Sequence, residues 1–162
     1  MGEVILALDL SLASTGYSVL KVNGHKVEVL KVGHINNKKH SKKPHGFRLY
    51  QIFVGLKGII EEYQPTLIVK ERGFSKGHKS TQALFKVAGV VDLLAHGKGF
   101  AEIDEIAPLT VKACVGGHGK ASKEEVERGL NNYLVSMPDF MNDDESDSVA
   151  VGVAWLLKNK KL

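Results

Sequence analysis

The chain has 162 residues, of which 43% are hydrophobic and 25% charged, so it suits one soluble globular domain and is too short for two complete cores. It carries a formal net charge of +4 and one cysteine, which excludes an internal disulfide. No apolar run reaches the ~18 residues of a membrane span, and the basic and cleavage segments of a secretory signal are lacking. We therefore expect a single domain over 1–162 in a reducing cytoplasm.

Three antiparallel strands are predicted at the start of the chain. An apolar run that ends at Asp9 is typical of a strand buried on both faces. Two alternating segments follow, joined by Asn23-Gly24, a pair that favours a hairpin turn. The predicted strands cover 4–9, 17–22 and 25–35.

Helices and short strands alternate in the rest of the chain. Apolar residues that recur every three or four positions predict helices, and a capping box at Ser122 predicts the start of one. The predicted segments are a loop over 36–45, a helix over 46–63, a strand over 66–69, a loop over 72–79, a nearly all-apolar helix over 81–96, a strand over 100–106, a short helix over 108–114, a glycine-rich loop over 115–121, a helix from 122 to about 135, a loop over 137–142 and a final helix over 143–160. This order indicates an α/β fold, a mixed five-stranded sheet flanked by helices.

Four acidic residues are expected to meet at one edge of that sheet. Asp9 and Glu71 end predicted strands, where functional side chains of α/β sheets gather. Asp144 and Asp147 are three residues apart at the start of the final helix, so their side chains point the same way. The rest of that helix is apolar and must pack on the sheet, which should turn Asp147 toward the protein.

The final helix also admits a simpler interpretation. Acids in a first turn are favoured by the helix dipole, and Asn142 or Asp143 can cap the helix. This accounts well for Asp143 and Glu145 but poorly for Asp147, which lies one turn further in.

The two strand acids have local alternatives of their own. Either carboxylate could be satisfied by close neighbours in the sequence, through an ion pair or a hydrogen bond. The candidate partners are Lys70 or Arg72 for Glu71, and Ser11 or Ser14 for Asp9.

Carboxylates that meet in this way need compensation. One pair ~4 Å apart repels by about 4 kcal/mol at an effective dielectric of 20, and hard divalent cations remove that cost. All-oxygen ligands suit Mg²⁺ or Mn²⁺, and two ions ~4 Å apart can activate water and stabilise the leaving oxygen of a phosphodiester. His40 and His45 have the spacing of a zinc-ligand pair, but no cysteine pair accompanies them. A nucleotide-binding phosphate loop is lacking.

Lysines crowd several short segments, at 38–43, 76–79, 112–123 and in the C-terminal tail, while acids are densest at 139–147. A basic surface around an acidic pocket suits a polyanion held against bound cations. Lysines that are simply solvated would explain the charge distribution equally well.

Several segments, in this order and spacing, resemble the RuvC family of Holliday junction resolvases, within the ribonuclease H-like superfamily. Asp9 with Thr15-Gly16 resembles the family's opening Asp-Pro-Gly-x-x-x-Thr-Gly segment, although Leu10 and Ser11 replace its Pro-Gly. Glu71 is similar to its second acid.

The resemblance continues to the end of the chain. Phe74 is similar to the aromatic residue that stacks at the junction centre in the family. Residues 107–123 resemble its Pro-x-x-Val-Lys … Gly-x-Gly-x-Ala-x-Lys segment, and residues 144–154 resemble its closing Asp-x-x-Asp-Ala-x-Ala helix. The loops at 36–45 and 72–79, apart from Phe74, match no family pattern, so substrate selectivity can differ from that of the bacterial enzymes, and small phage-type members look similar in this respect.

The resemblance implies a ribonuclease H-like fold and a homodimer that nicks opposed strands of four-way or other branched DNA, with two Mg²⁺ ions per site and Mn²⁺ as a substitute. The helix over 81–96 is a candidate dimer contact, with core burial as the equal alternative. A branch-migration motor is possible but not indicated. The implied residues are Asp9, Glu71, Asp144 and Asp147 for metal binding and catalysis, Lys123 for catalysis, and Phe74, Lys76, Lys79, Lys112, Gly117, Gly119 and Lys120 for DNA contact.

Other functions stay open at this point. A degenerate nuclease fold could bind branched DNA without cutting it, and a ribonuclease H would act on RNA–DNA hybrids instead. A sugar kinase or actin-like ATPase also carries an acid in its first strand, but the chain is too short for two lobes. A phage-encoded member would work in the cytoplasm of its bacterial host.

Overall fold

A computed structural model describes residues 2–73 and 77–162 of the chain. The α-helices and strands of these residues are β1 (Val4–Asp9), β2 (Ser14–Asn23), β3 (Lys26–Asn36), α1 (His45–Tyr63), β4 (Leu67–Glu71), α2 (His78–Gly97), β5 (Asp104–Ile106), α3 (Pro108–Gly116), α4 (Lys123–Leu130) and α5 (Asp143–Lys158). A short 3-10 helix, Lys38–His40, lies within the predicted loop before α1. Among the helices of the described residues, none has both the length and the apolar character needed to cross a bilayer.

The strands form one mixed sheet in the order β3-β2-β1-β4-β5. β2 pairs antiparallel with both of its neighbours, β1 and β3. β4 pairs parallel with both of its neighbours, β1 and β5. The predicted five-stranded sheet is therefore confirmed. β1 is the middle strand, and both of its faces are buried. Ile5 and Ala7 lie in the core beneath α5, whereas Leu6 and Leu8 lie in the core beneath α1 and α2.

Several predicted boundaries are wrong. β2 begins at Ser14, three residues early, while β5 keeps only the last part of the predicted strand. α4 ends at Leu130, because the following chain turns back and pairs with the edge strand β3. There Val27 N–H donates to the Tyr133 carbonyl oxygen, and its own carbonyl oxygen accepts from Val135 N–H.

α2 has two different apolar sides. One side contributes Val87, Val91 and Leu94 to the core that it shares with α1 and the sheet. The opposite side leaves Phe85 68% exposed and Leu93 70% exposed. Core burial thus explains most of the apolar character of this helix, and Phe85 and Leu93 remain on the surface.

Candidate active site

One row of residues crosses three strands at the end of β1. Asp9 of β1 is paired with Gly16 of β2, and Gly16 is paired with His34 of β3. Side chains alternate along a strand, so Asp9 shares a face with Ile5 and Ala7, which lie beneath α5. Asp9 therefore points toward α5, as its position at the end of a buried strand predicts.

Glu71 lies beside Asp9. Ala7 of β1 is opposite Val69 of β4 in the parallel pair, and the two acids follow two residues later on their strands. Neighbouring strands are about 4.8 Å apart, so the two carboxylates leave the same face of the sheet as neighbours. Both residues line a cavity of about 330 Å³.

The first turn of α5 rests directly on this row. Asn142 caps the helix, because its side-chain oxygen accepts a hydrogen bond from Glu145 N–H. A Cβ atom at Gly16 would overlap the carbonyl oxygen of Asp144, so only glycine allows this close approach. The helix then carries Asp147 one turn further along, with its apolar remainder buried against the sheet.

The four acids interact electrostatically. The pKa of Asp9 is raised to about 8, chiefly by burial. The negative charges of Asp147, Glu71 and Asp144 add to this effect, in that order. Burial and then the charge of Asp147 raise the pKa of Glu71, and burial also raises the pKa of Asp147. The structure thus brings together the acids that the sequence predicted to meet.

The local partners considered for Glu71 are engaged elsewhere. Lys70 Nζ lies 3.3 Å from Glu105 Oε1, and Arg72 Nε lies 3.5 Å from Glu105 Oε2. The ion-pair interpretation of Glu71 is therefore wrong, because β5 supplies an acid to both cations.

The serines after Asp9 stabilise their own turn. The Ser11 hydroxyl donates to the Ser14 carbonyl oxygen at 2.8 Å and accepts from Ser14 N–H at 2.9 Å. The Thr15 hydroxyl donates to the Ser11 carbonyl oxygen at 2.6 Å. Ser11 thus closes the turn that leads from β1 to β2, where the family pattern has Pro-Gly.

Two lysines that flank the glycine-rich loop, Lys112 and Lys123, lie at the acids. Lys123, the first residue of α4, has its Nζ 3.4 Å from Asp147 Oδ2, and the charge of Asp147 raises the pKa of Lys123. Lys112 of α3 lines a cavity of about 290 Å³ together with Lys123, Glu71 and Asp147. The predicted catalytic lysine and one predicted DNA-contacting lysine are therefore adjacent to the carboxylates.

The remaining predicted DNA contacts lie around this centre. Gly117 ends α3 in a left-handed conformation (φ 93°), and Gly119 and Lys120 follow in the next turn. Lys79, in the first turn of α2, lines a cavity of about 730 Å³ with His45 and Arg48. This cavity shares two of its lining residues, Leu10 and Leu84, with the cavity of Asp9 and Glu71. Phe74 and Lys76 lie outside the described residues.

One pair beside the site, a half-buried histidine and a buried carboxylate, has no signal in the sequence. Glu145, which the helix dipole seemed to explain, is only 3% exposed, and its Oε1 lies 2.9 Å from Nδ1 of His34. Its other oxygen accepts from Met141 N–H at 2.9 Å. His34 and Glu145 are 111 residues apart, and only the strand register brings them together.

The site has the ligand chemistry of a hard cation. Its candidate ligands are carboxylate oxygens only, which suits Mg²⁺ or Mn²⁺. Within residues 2–73 and 77–162, no three histidine, cysteine, aspartate or glutamate side chains stand close enough to hold an ion as they are. The residues fit a divalent cation in charge and ligand type.

Comparisons with known proteins identify the family of the chain. The family described as "Crossover junction endodeoxyribonuclease RuvC" matches residues 5–155. A curated relative of that name from Alkaliphilus metalliredigens is 33% identical over 150 residues, which cover 93% of this chain and 90% of the relative. Another from Natranaerobius thermophilus is 32% identical over 151 residues, covering 93% and 92% respectively.

Solved structures show the same fold. Thermus thermophilus RuvC in complex with a Holliday junction substrate matches with a TM-score of 0.88 at 19% identity, covering 98% of this chain and 96% of that chain. The yeast mitochondrial Holliday junction resolvase Ydc2 matches with a TM-score of 0.66 at 14% identity, covering 95% and 79%. The predicted ribonuclease H-like fold is confirmed, and the chain belongs to the RuvC family of crossover junction endodeoxyribonucleases.

Proposed function

We propose that this chain is a single-domain, metal-dependent endonuclease that nicks opposed strands of Holliday junctions or other branched DNA. The observation that carries the proposal is geometric: Asp9 and Glu71 end neighbouring strands, and Glu71 shares one cavity with Asp147 and two lysines, Lys112 and Lys123. The names of the relatives, crossover junction endodeoxyribonucleases, support the reaction and the substrate class. A DNA substrate of this kind implies work in the bacterial cytoplasm, that of the host if the chain is phage-encoded.

The four acids would hold two Mg²⁺ ions per site, with Mn²⁺ as a substitute. When bound, such ions activate water for in-line attack and stabilise the leaving oxygen of the phosphodiester. Asp9 lies between Glu71 on β4 and the first turn of α5, so it is the acid that adjoins both other parts of the site. Its burial keeps bulk water away and strengthens its interaction with any bound charge.

Lys123 would offset negative charge at the scissile phosphate. Its ammonium is 3.4 Å from Asp147 and only partly buried, so it can turn toward a phosphate oxygen while staying at the site. Preorganised positive charge of this kind stabilises a transition state more than it stabilises bound substrate. Lys112, on the other side of the same cavity, would bind the neighbouring backbone.

Two surfaces beside the acids would hold the DNA arms. Gly117 and Gly119 have open space where a Cβ would lie, so a phosphate can approach their backbone closely, next to Lys120. On the opposite flank, the cavity of Lys79, His45 and Arg48 offers cationic side chains. Stacking by Phe74 and backbone contact by Lys76 remain predictions.

A homodimer would supply the second cut. Leu93 of α2 is exposed, and Tyr50 of α1 adds an exposed aromatic side chain, 62% accessible. Leu93 and Tyr50 line one shallow apolar depression between the two helices. Burial of such a surface by a second copy would orient two active sites toward one junction.

Cleavage mapping tests the proposed function. The protein is incubated with Mg²⁺ and labelled four-way, three-way, flap, duplex and RNA–DNA hybrid substrates, in parallel with Asp9→Asn. We expect paired nicks in opposed strands of the four-way junction, none with Asp9→Asn, and similar junction binding by both proteins. Binding without nicking would instead identify a non-catalytic junction-binding protein, and preferential cutting of the hybrid would identify a ribonuclease H.

A further inference from the structure

The pair of half-buried His34 and buried Glu145 is a feature that the proposed mechanism does not use. A carboxylate removed from water costs several kcal/mol unless hydrogen bonds compensate it. Glu145 has this compensation from two directions, His34 Nδ1 on one oxygen and Met141 N–H on the other, each at 2.9 Å. The pair therefore joins three segments, β3, the loop before α5, and the first turn of α5.

The place of this pair relative to the acids is defined by the strand register. Asp9, Gly16 and His34 occupy successive positions of one row across β1, β2 and β3. The first turn of α5 touches that row at two adjacent points. The backbone of Asp144 lies against Gly16, and the side chain of Glu145 binds His34. The third position of the row is Asp9 itself.

Glu145 also stands between the two acids of the helix. Consecutive residues of an α-helix are turned by about 100°, so a contact that fixes Glu145 also fixes the directions of Asp144 and Asp147. A carboxylate about 6 Å from the helix axis moves by about 2 Å when the helix rotates by roughly 20°. Metal–ligand distances tolerate only about 0.2 Å, so even a small rotation would remove a ligand.

We propose that the His34–Glu145 pair positions the active site, because it sets the rotation of the first turn of α5 and hence the places of Asp144 and Asp147 relative to Asp9. His34 and Glu145 are positioning residues in this role and touch neither substrate nor metal. The inference rests on the proposed function for the identity of the ligands, and on the contacts above for the geometry.

The test compares removal and restoration of the hydrogen bond. His34→Ala removes the donor from β3 without changing α5, and His34→Asn restores a side-chain N–H near the position of Nδ1. Glu145→Ala removes both bonds of the carboxylate. His25→Ala, in the exposed turn between β2 and β3, is the matched control. Mn²⁺ affinity is measured calorimetrically without DNA, together with amide hydrogen exchange of residues 143–147 without metal.

We expect His34→Ala and Glu145→Ala to weaken Mn²⁺ binding about 10-fold or more and to speed exchange in the first turn of α5. His34→Asn should recover both properties, His25→Ala should change neither, and the double alanine variant should be no worse than the poorer single variant. A folded His34→Ala protein with unchanged Mn²⁺ affinity and unchanged exchange would overturn the proposal. Failure of the wild type to nick any junction would overturn the proposed function instead, since the exchange measurement needs neither metal nor substrate.

Discussion

Lys123 Nζ lies 3.4 Å from Asp147 Oδ2 and 3.7 Å from Asp143 Oδ2, so one ammonium joins the start of α4 to the start of α5. The capping box of Ser122 and Glu125 holds this end of α4 in place. The contact keeps a positive charge beside the acids, where the proposed mechanism has negative charge develop on a phosphate during hydrolysis.

This contact predicts a large effect of Lys123 on rate and a small effect on binding. Lys123→Ala should lower kcat for junction nicking about 100-fold, the usual cost of one lost electrostatic group. Junction affinity should change little, since only one of several cations is lost. Single-turnover kinetics with Lys158→Ala as control, at the far end of α5, would check this. Equal losses of rate and affinity would contradict a role in the transition state.

The raised pKa of Asp9 predicts how stability depends on pH. In the unfolded chain Asp9 loses its proton near its ordinary pKa of 3.8, whereas in the folded chain its pKa is about 8. The folded state binds more protons between these values, so this group lowers the free energy of unfolding as pH rises from about 4 to about 8.

Asp9→Asn removes this dependence. At about pH 8 and without metal, the variant should exceed the wild type in free energy of unfolding by at least about 1.4 kcal/mol, the equivalent of one pKa unit. At about pH 4 the two proteins should be nearly equal. Urea unfolding in the presence of a chelator measures the difference, and a gap that shrinks with rising pH would refute the burial argument.

The cavity of Lys79, His45 and Arg48 predicts a salt-dependent contribution to DNA affinity. Each phosphate contact that is lost should reduce the slope of log affinity against log salt by about 1. Lys79→Ala should therefore weaken junction binding and flatten that slope, with little change of kcat at saturating DNA. Lys31→Ala, on the exposed edge strand, is the control. Identical slopes for Lys79→Ala and the wild type would exclude phosphate contact at Lys79.

The exposed side of α2 predicts the effect of a charge at the proposed dimer surface. Leu93 is 70% exposed, so Leu93→Glu should leave the stability of the monomer nearly unchanged. It should dissociate the dimer in sedimentation experiments and convert paired cuts of a junction into single nicks. A wild-type protein that sediments as a monomer at the concentration of the nicking assay would refute the proposed dimer.

Much of the site follows from local patterns. An apolar run that ends at Asp9 defines both a buried strand and the place of its acid, and the apolar body of α5 fixes which way Asp147 faces. These inferences need only the periods of strands and helices. The sequence therefore predicted that the four acids lie close to one another, and their roles as metal ligands stay a prediction.

Other features depend on contacts that no local pattern encodes. His34 and Glu145 meet because β3 pairs with β2 in one particular register. The residues around neither position in the sequence indicate that register. The end of α4 at Leu130 also depends on a distant contact, since the chain beyond it pairs with Val27 from the first third of the sequence. Pairing between distant segments overrides helical preference at this position.

Gly16 carries a consequence for how this site can change. It contributes no side-chain atom to the reaction, yet any substitution there must lift the helix that bears two of the four acids. A single added methyl group would thus separate the acids of α5, Asp144 and Asp147, from the acids of the sheet, Asp9 and Glu71. Position 16 is therefore constrained by the size of its side chain, since the backbone of Asp144 in α5 occupies the space that a Cβ atom would need.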